Sequence, residues 1–304
     1  MSAGSQNTLG RRTLLLGLPA AWAAAAQGPI RALIVDGFSN HDGPKTTAFL
    51  KDLLENTGRF RADVSTSPHE VGDPAWAKWR PRFADYDLVV QTANNIQQPE
   101  LRWPREVEQA LEAFVRNGGG LLVHHSANNA FPHWAEYNGM IGLGWRGVDE
   151  GTALRLDADG AVTRIPPGQG EKTSHGPRQD TVVHRLTPHP INHGMPEKWL
   201  TPDIEVYTYA RGPAEALTIL SYGRHHATDT WWPLEWVVAY GNGRVYSSSF
   251  GHIWKTDEGI PARVRCVGFQ TTVIRAAEWL ATGAATWPIP EDFPTERTLS
   301  IRPA

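Results

Sequence analysis

The chain has 304 residues and a formal net charge of −3 at pH 7, which gives no basic surface for nucleic acid or for an anionic membrane. Its one cysteine, Cys266, excludes both a disulfide framework and a cysteine-based metal site within the chain. The high counts are 13 Trp and 12 His, and indoles beyond a core's needs are suited to stacking on sugar rings.

Residues 1–26 read as a twin-arginine-type export signal. Arg11-Arg12 precedes Thr13 to Leu16 and an apolar run reaching Ala26. That run is shorter than the roughly 20 apolar residues of a membrane-spanning helix. Small residues at Ala21, Ala23, Ala24 and Ala26 offer cleavage sites. The expectation is a periplasmic or secreted protein. Residues 27–304 would form one domain, with no stable membrane insertion after the signal is removed.

Strand and helix patterns then alternate. Arg31 to Asp36 is a short apolar run that stops at Gly37, as a buried parallel strand does. A helix is expected from Pro44, with Ala48, Leu50, Leu53 and Leu54 on one side and Gly58 at its end. Phe60 to Ser65 and Asp87 to Gln91 give two more strands. Trp103-Pro104 opens a helix carrying Val107, Leu111, Phe114 and Val115, and Leu121 to His124 is the fourth strand. Gly118-Gly119-Gly120 precedes that strand instead of opening a helix, so no phosphate loop and no nucleotide cofactor is expected. This order predicts an α/β fold: an open, mostly parallel, flavodoxin-like sheet with helices on both faces. Gly147 to Pro202 reads as irregular. Strands return at Ile204 to Tyr209, Leu217 to Leu220, Trp236 to Tyr240 and Arg244 to Phe250, and a final helix spans Pro261 to Leu280 with Cys266 buried inside it.

In such sheets ligands bind outside the carboxyl ends of the strands. Three histidines fall there: His41, His125 and His252. Three imidazoles converging on one cleft can bind a divalent metal such as zinc, or move protons near neutral pH. His124 should point away from His125 by strand alternation. The same ends carry Asp36, Asn40, Asn94, Asn128 and Asn129 as candidate substrate-binding groups. Asp203 and Glu205 fall two apart on one strand face, where paired carboxylates can do acid–base work. Glu235 lies beside several indoles, where burial raises a carboxyl pKa. His41, His125, Glu205 and Glu235 are therefore the candidate catalytic residues. Ser126 lacks a Gly-x-Ser-x-Gly setting, so a serine hydrolase is not supported.

The stretches Ala32 to Asp42, Phe114 to Phe131, Glu136 to Trp145, His189 to Ile191, Asp203 to Tyr207, Tyr240 to His252 and Ala276 to Leu280 resemble the ThuA-like (trehalose-utilisation) family. The resemblance implies a fold similar to class I glutamine amidotransferases. It also disfavours a glutaminase, because His125 and Ser126 stand where that class carries its elbow cysteine. It maps the family's histidines onto His41, His125 and His252, and implies a small carbohydrate ligand, a disaccharide or keto-sugar. The expected function is an exported enzyme of carbohydrate utilisation. The alternative is a non-catalytic periplasmic carbohydrate-binding protein.

Overall fold

The computed structural model describes Met1 and residues 28–303, so the expected signal lies outside the described residues. The amino-terminal half alternates strand and helix: β1 (Ile30–Asp36), α1 (Gly43–Glu55), β2 (Phe60–Thr66), β3 (Leu88–Gln91), α2 (Arg105–Arg116), β4 (Gly120–Val123) and α3 (Ala135–Ile141). There follow β5 (Thr152–Leu156), β6 (Val162–Ile165), β7 (Ser174–His175), β8 (Gln179–Arg185), β9 (Lys198–Ile204), β10 (Tyr207–Thr208) and β11 (Arg211–Gly212). The chain closes with β12 (Leu217–His225), β13 (Thr230–Tyr240), β14 (Gly243–Ser248), α4 (Ala262–Arg265) and α5 (Val267–Thr282).

The principal sheet has the order β2-β1-β3-β4-β14-β13-β12-β8-β9. From β2 to β14 every pairing is parallel, and from β14 to β9 every pairing is antiparallel. The sheet is therefore mixed, with a parallel core. The change of sense has a local cause. Tyr240 pairs with Gly243 across Gly241-Asn242, and so short a link can only return the chain antiparallel.

Alternation along the parallel strands divides the interior into two cores. Ala32, Ile34, Leu88, Val90 and Leu122 face α1 and α5, packing with Leu50, Leu54, Val273 and Ala277. Leu33, Val35, Val89, Leu121 and Val123 face α2 and α3, packing with Val107, Leu111, Val115, Tyr137 and Met140. Helices on both faces and the positions of the first four strands agree with the sequence reading.

Two expectations need correction. The segment read as irregular contains β5 to β8 and most of β9; β6 and β7 are too short, and β8 is too much part-exposed, to leave a clear periodicity. The last helix is interrupted at Cys266, whose ψ of 128° is extended and which bridges to Ile301. The tail makes further backbone bonds: Val267 N donates to Ser300 O at 2.9 Å, Arg302 N to Arg265 O at 2.9 Å, and Leu200 N to Thr295 O at 2.8 Å. Cys266 is buried, as expected, but at a helix junction.

Trp236 on β13 fills the second core at 1% exposure, and its Nε1 donates to Ile141 O at 2.7 Å. Urea unfolding should show Trp236→Ala destabilised by about 3–5 kcal/mol. Trp236→Phe should lose less, with about 0.5–1.5 kcal/mol of it from the missing hydrogen bond, because Ile141 O still accepts from Leu143 N at 2.8 Å.

Candidate functional site

The carboxyl ends of β1, β4 and β14 each deliver a histidine to one cleft. His41 precedes α1, where Asp42 caps the helix by accepting from Lys45 N at 3.0 Å. His125 lies two residues past the end of β4 with φ of +44°, a left-handed backbone that costs a non-glycine residue on the order of 1–3 kcal/mol and concentrates at functional sites. His252 follows Gly251, whose φ is +107° and where a Cβ would lie 2.2 Å from the His124 ring, so only glycine fits. His124 itself points away from the cleft, with Nε2 3.1 Å from Gly251 O.

The three rings have centroids 5.1, 4.9 and 5.2 Å apart, and one nitrogen from each lies within 4.8 Å of the other two. Their protons can be placed from their partners. His41 Nδ1 donates to Asn40 Oδ1 at 2.8 Å and His125 Nδ1 donates to Ser249 O at 2.7 Å, which leaves the Nε2 lone pair on each ring. His252 has Nε2 beside Glu205 Oε1 at 3.2 Å, which favours the proton there and leaves the lone pair on Nδ1. His125 Nε2 and His252 Nδ1 are buried without a hydrogen-bond partner.

Burial sets the charge. Desolvation, with the neighbouring His124 and His175 next, lowers His41 to about 4; desolvation and then His41 lower His252 to about 3. His125 is pushed well below the ordinary histidine value by desolvation and then by His41. All three are neutral at pH 7. Glu205 is held above the ordinary carboxyl value by burial. Its oxygens lie 3.7 Å from His125 Nε2 and 3.6 Å from His175 Nε2 as well.

The cleft holds about 300 Å³. Above the histidines, half-buried Trp145 and Trp254 form its sides. Trp254 stacks on His252 at 5.7 Å and 15°, and Trp145 meets Tyr207 edge-on at 5.2 Å. Arg263 fixes one side, donating to His252 O at 2.6 Å, to Asp203 Oδ2 at 2.6 Å and to Asp257.

Of the residues picked from sequence, His41, His125, His252, Glu205, Asn40 and Asn129 meet in or under this cleft. Asp203 and Glu205 do not share one strand face: Asp203 has φ of +48° near the end of β9, and Glu205 lies in the break before β10. Asp36, Asn94, Asn128 and Glu235 are buried but do not line the cleft. Asp36 accepts from Thr47 Oγ1 at 2.7 Å, Asn94 donates to Ser39 Oγ at 3.0 Å and Ser126 Oγ at 3.1 Å, and Asn128 Nδ2 reaches Ser248 O at 3.4 Å. Glu235 accepts from Ser221 Oγ at 2.5 Å and Tyr246 Oη at 2.7 Å, with its pKa raised by burial as the sequence suggested. Sequence reasoning missed His175, Tyr207, Trp145, Trp254 and Arg178 as cleft residues. His175 and Tyr207 arrive through the two-residue pairing of β7 with β10, which is too short to leave a pattern.

Fold and site together define an α/β protein with a histidine-lined cleft at the carboxyl edge of its parallel strands. The chain belongs to the ThuA family, described as trehalose utilisation, whose model matches residues 31–263. It is similar to a thua-like protein from Parabacteroides merdae, 34% identical over 90% of this chain and 98% of that one, with a TM-score of 0.82. A thua-like protein from Bacteroides uniformis, 18% identical over 88% and 98% of the two chains with a TM-score of 0.51, shares the fold. No curated protein matches the chain.

The pH dependence of stability follows from the buried rings. The unfolded chain takes up histidine protons near 6.5, while folded His41 and His252 resist protonation until about 4 and about 3. The folded state therefore binds fewer protons across that interval, and stability falls as pH is lowered from about 6.5. Chelator-treated protein should lose at least about 2 kcal/mol between pH 7 and pH 5 in urea titrations. A His41→Gln/His252→Gln variant should lose clearly less over the same range.

Proposed function

We propose that this chain is an exported enzyme of carbohydrate utilisation that works on a disaccharide or keto-sugar at the histidine cleft. The observation that carries the reading is the set of three buried, neutral imidazoles, two of them with an unpartnered nitrogen. Such orphaned acceptors are costly unless a ligand satisfies them. His41, His125 and His252 suit a divalent metal such as zinc, each ring being oriented through its other nitrogen by Asn40, Ser249 O or Glu205. Bound there, such an ion supplies Lewis-acid polarisation of a sugar oxygen.

The remaining roles belong to the chain's own side chains. Trp145 and Trp254 offer apolar ring faces of the kind on which a pyranose stacks, while Asn40 and Asn129 supply hydrogen bonds to hydroxyls. Glu205, buried and reluctant to ionise, is suited to hold a proton at Oε2, with Oε1 facing His252 Nε2, and to deliver it to a sugar oxygen. Arg11-Arg12 and the apolar run behind them support export by the twin-arginine route.

Elemental analysis of protein purified from its native compartment should find one transition-metal equivalent per chain, and His125→Ala should remove it. Glu205→Gln should keep the fold and weaken metal affinity by about 10–100-fold. Equal and negligible metal affinity in wild type and His125→Ala would refute the metal site. Product formation from disaccharides or keto-sugars, lost in His125→Ala, is expected; sugar-dependent stabilisation without product would make the protein a binding protein instead.

A further inference from the structure

A second cleft of about 270 Å³ adjoins the histidine cleft, and both are lined by Ile96, Asn129 and Trp145. Trp145 therefore stands as a wall with a cleft on either side. The wall is built to stay in place. Trp145 N donates to Asn128 O at 3.3 Å, and the next residue, Arg146, is 3% exposed. Its guanidinium donates to Trp145 O at 2.8 Å, Ala130 O at 2.7 Å and Asn138 Oδ1 at 2.8 Å. Burial of that cation depends on these carbonyls, so they tie the indole's backbone to the segment carrying Asn129.

Asn129 is the second observation. It is 5% exposed, it lines both clefts, and its Oδ1 has no hydrogen-bond partner. A buried amide oxygen is costly to leave unpaired, and a ligand hydroxyl at the junction of the clefts would satisfy it. Beyond this junction the second cleft turns polar, with exposed His133, Glu150 and Lys172 at its edge. Each cleft lies near the lower end of small-ligand sites, roughly 300 Å³, which suits one sugar ring.

We propose that the second cleft is a sugar subsite continuous with the first. One ring of a glycoside lies over the histidines, the second lies beyond Trp145 against His133 and Lys172, and Asn129 Oδ1 accepts from a hydroxyl near the linkage. This inference rests on the carbohydrate reading of the histidine cleft. It makes Trp145 and Asn129 specificity-determining residues and the two-ring glycoside the preferred ligand.

The test is calorimetric titration of zinc-loaded full-length mature protein with glucose, trehalose, maltose and cellobiose. At least one disaccharide should bind about tenfold or more tightly than glucose, equivalent to about 1.4 kcal/mol. A His133→Ala/Lys172→Ala variant with an unchanged melting temperature should lose that advantage and keep its glucose affinity. Trp145→Ala should weaken both ligands. Glucose binding with no disaccharide gaining over it, or a gain that survives the double variant, would overturn the second subsite and leave the carbohydrate reading standing. Binding of none of the four sugars would overturn the carbohydrate reading and the subsite with it.

Discussion

Three imidazoles packed with ring centroids about 5 Å apart, and screened from water, repel one another unless they are neutral. Much of the architecture around the cleft serves that condition. The rings come from three strands whose carboxyl ends share one edge, so they converge without a long loop. Asn40 Oδ1 and Ser249 O accept hydrogen bonds from His41 and His125, and Glu205 stands beside His252. These partners settle which nitrogen faces the others. Arg263 holds the backbone of His252, and the left-handed turn at His125 swings its ring off the strand direction. The strain at that turn and the desolvation of the rings are both opposed by the two cores packed behind them.

The parallel half of the sheet was legible because its signals are local and redundant. Short apolar runs, helices opened by Pro44 and Pro104, and amphipathic spacing across Val107 to Val115 all point to the same topology. The three histidines were legible for a related reason: strand-end position is a property of sequence order, and the fold class says where those ends lie. For these three rings, sequence could not supply which nitrogen is free, since that depends on acceptors as distant as Ser249 from His125.

The cap over the cleft was much less legible. Tyr207 and His175 meet through a pairing two residues long, and Glu205 reaches the cleft through a break between β9 and β10 instead of along a strand face. Glu235 illustrates the opposite error. Its apolar surroundings were read correctly and its raised pKa follows, but Ser221 and Tyr246 occupy its carboxyl inside the sheet. A perturbed carboxyl is therefore an indication of burial first, and of a ligand site only where a cleft reaches it.

The residues after α5 form almost no regular structure, yet they hold together parts that the cleft relies on. Thr295 takes the amide of Leu200 in β9, Ser300 that of Val267, and Arg265 that of Arg302. β9 leads directly to Asp203 and Glu205, and α4 carries Arg263, so the tail acts as a strap across the back of the site. Small changes of length or sequence near Thr295 to Arg302 would be felt at Glu205 through the strand they fasten. The residues after α5 are in that sense part of the support of the cleft, although none of them lines it.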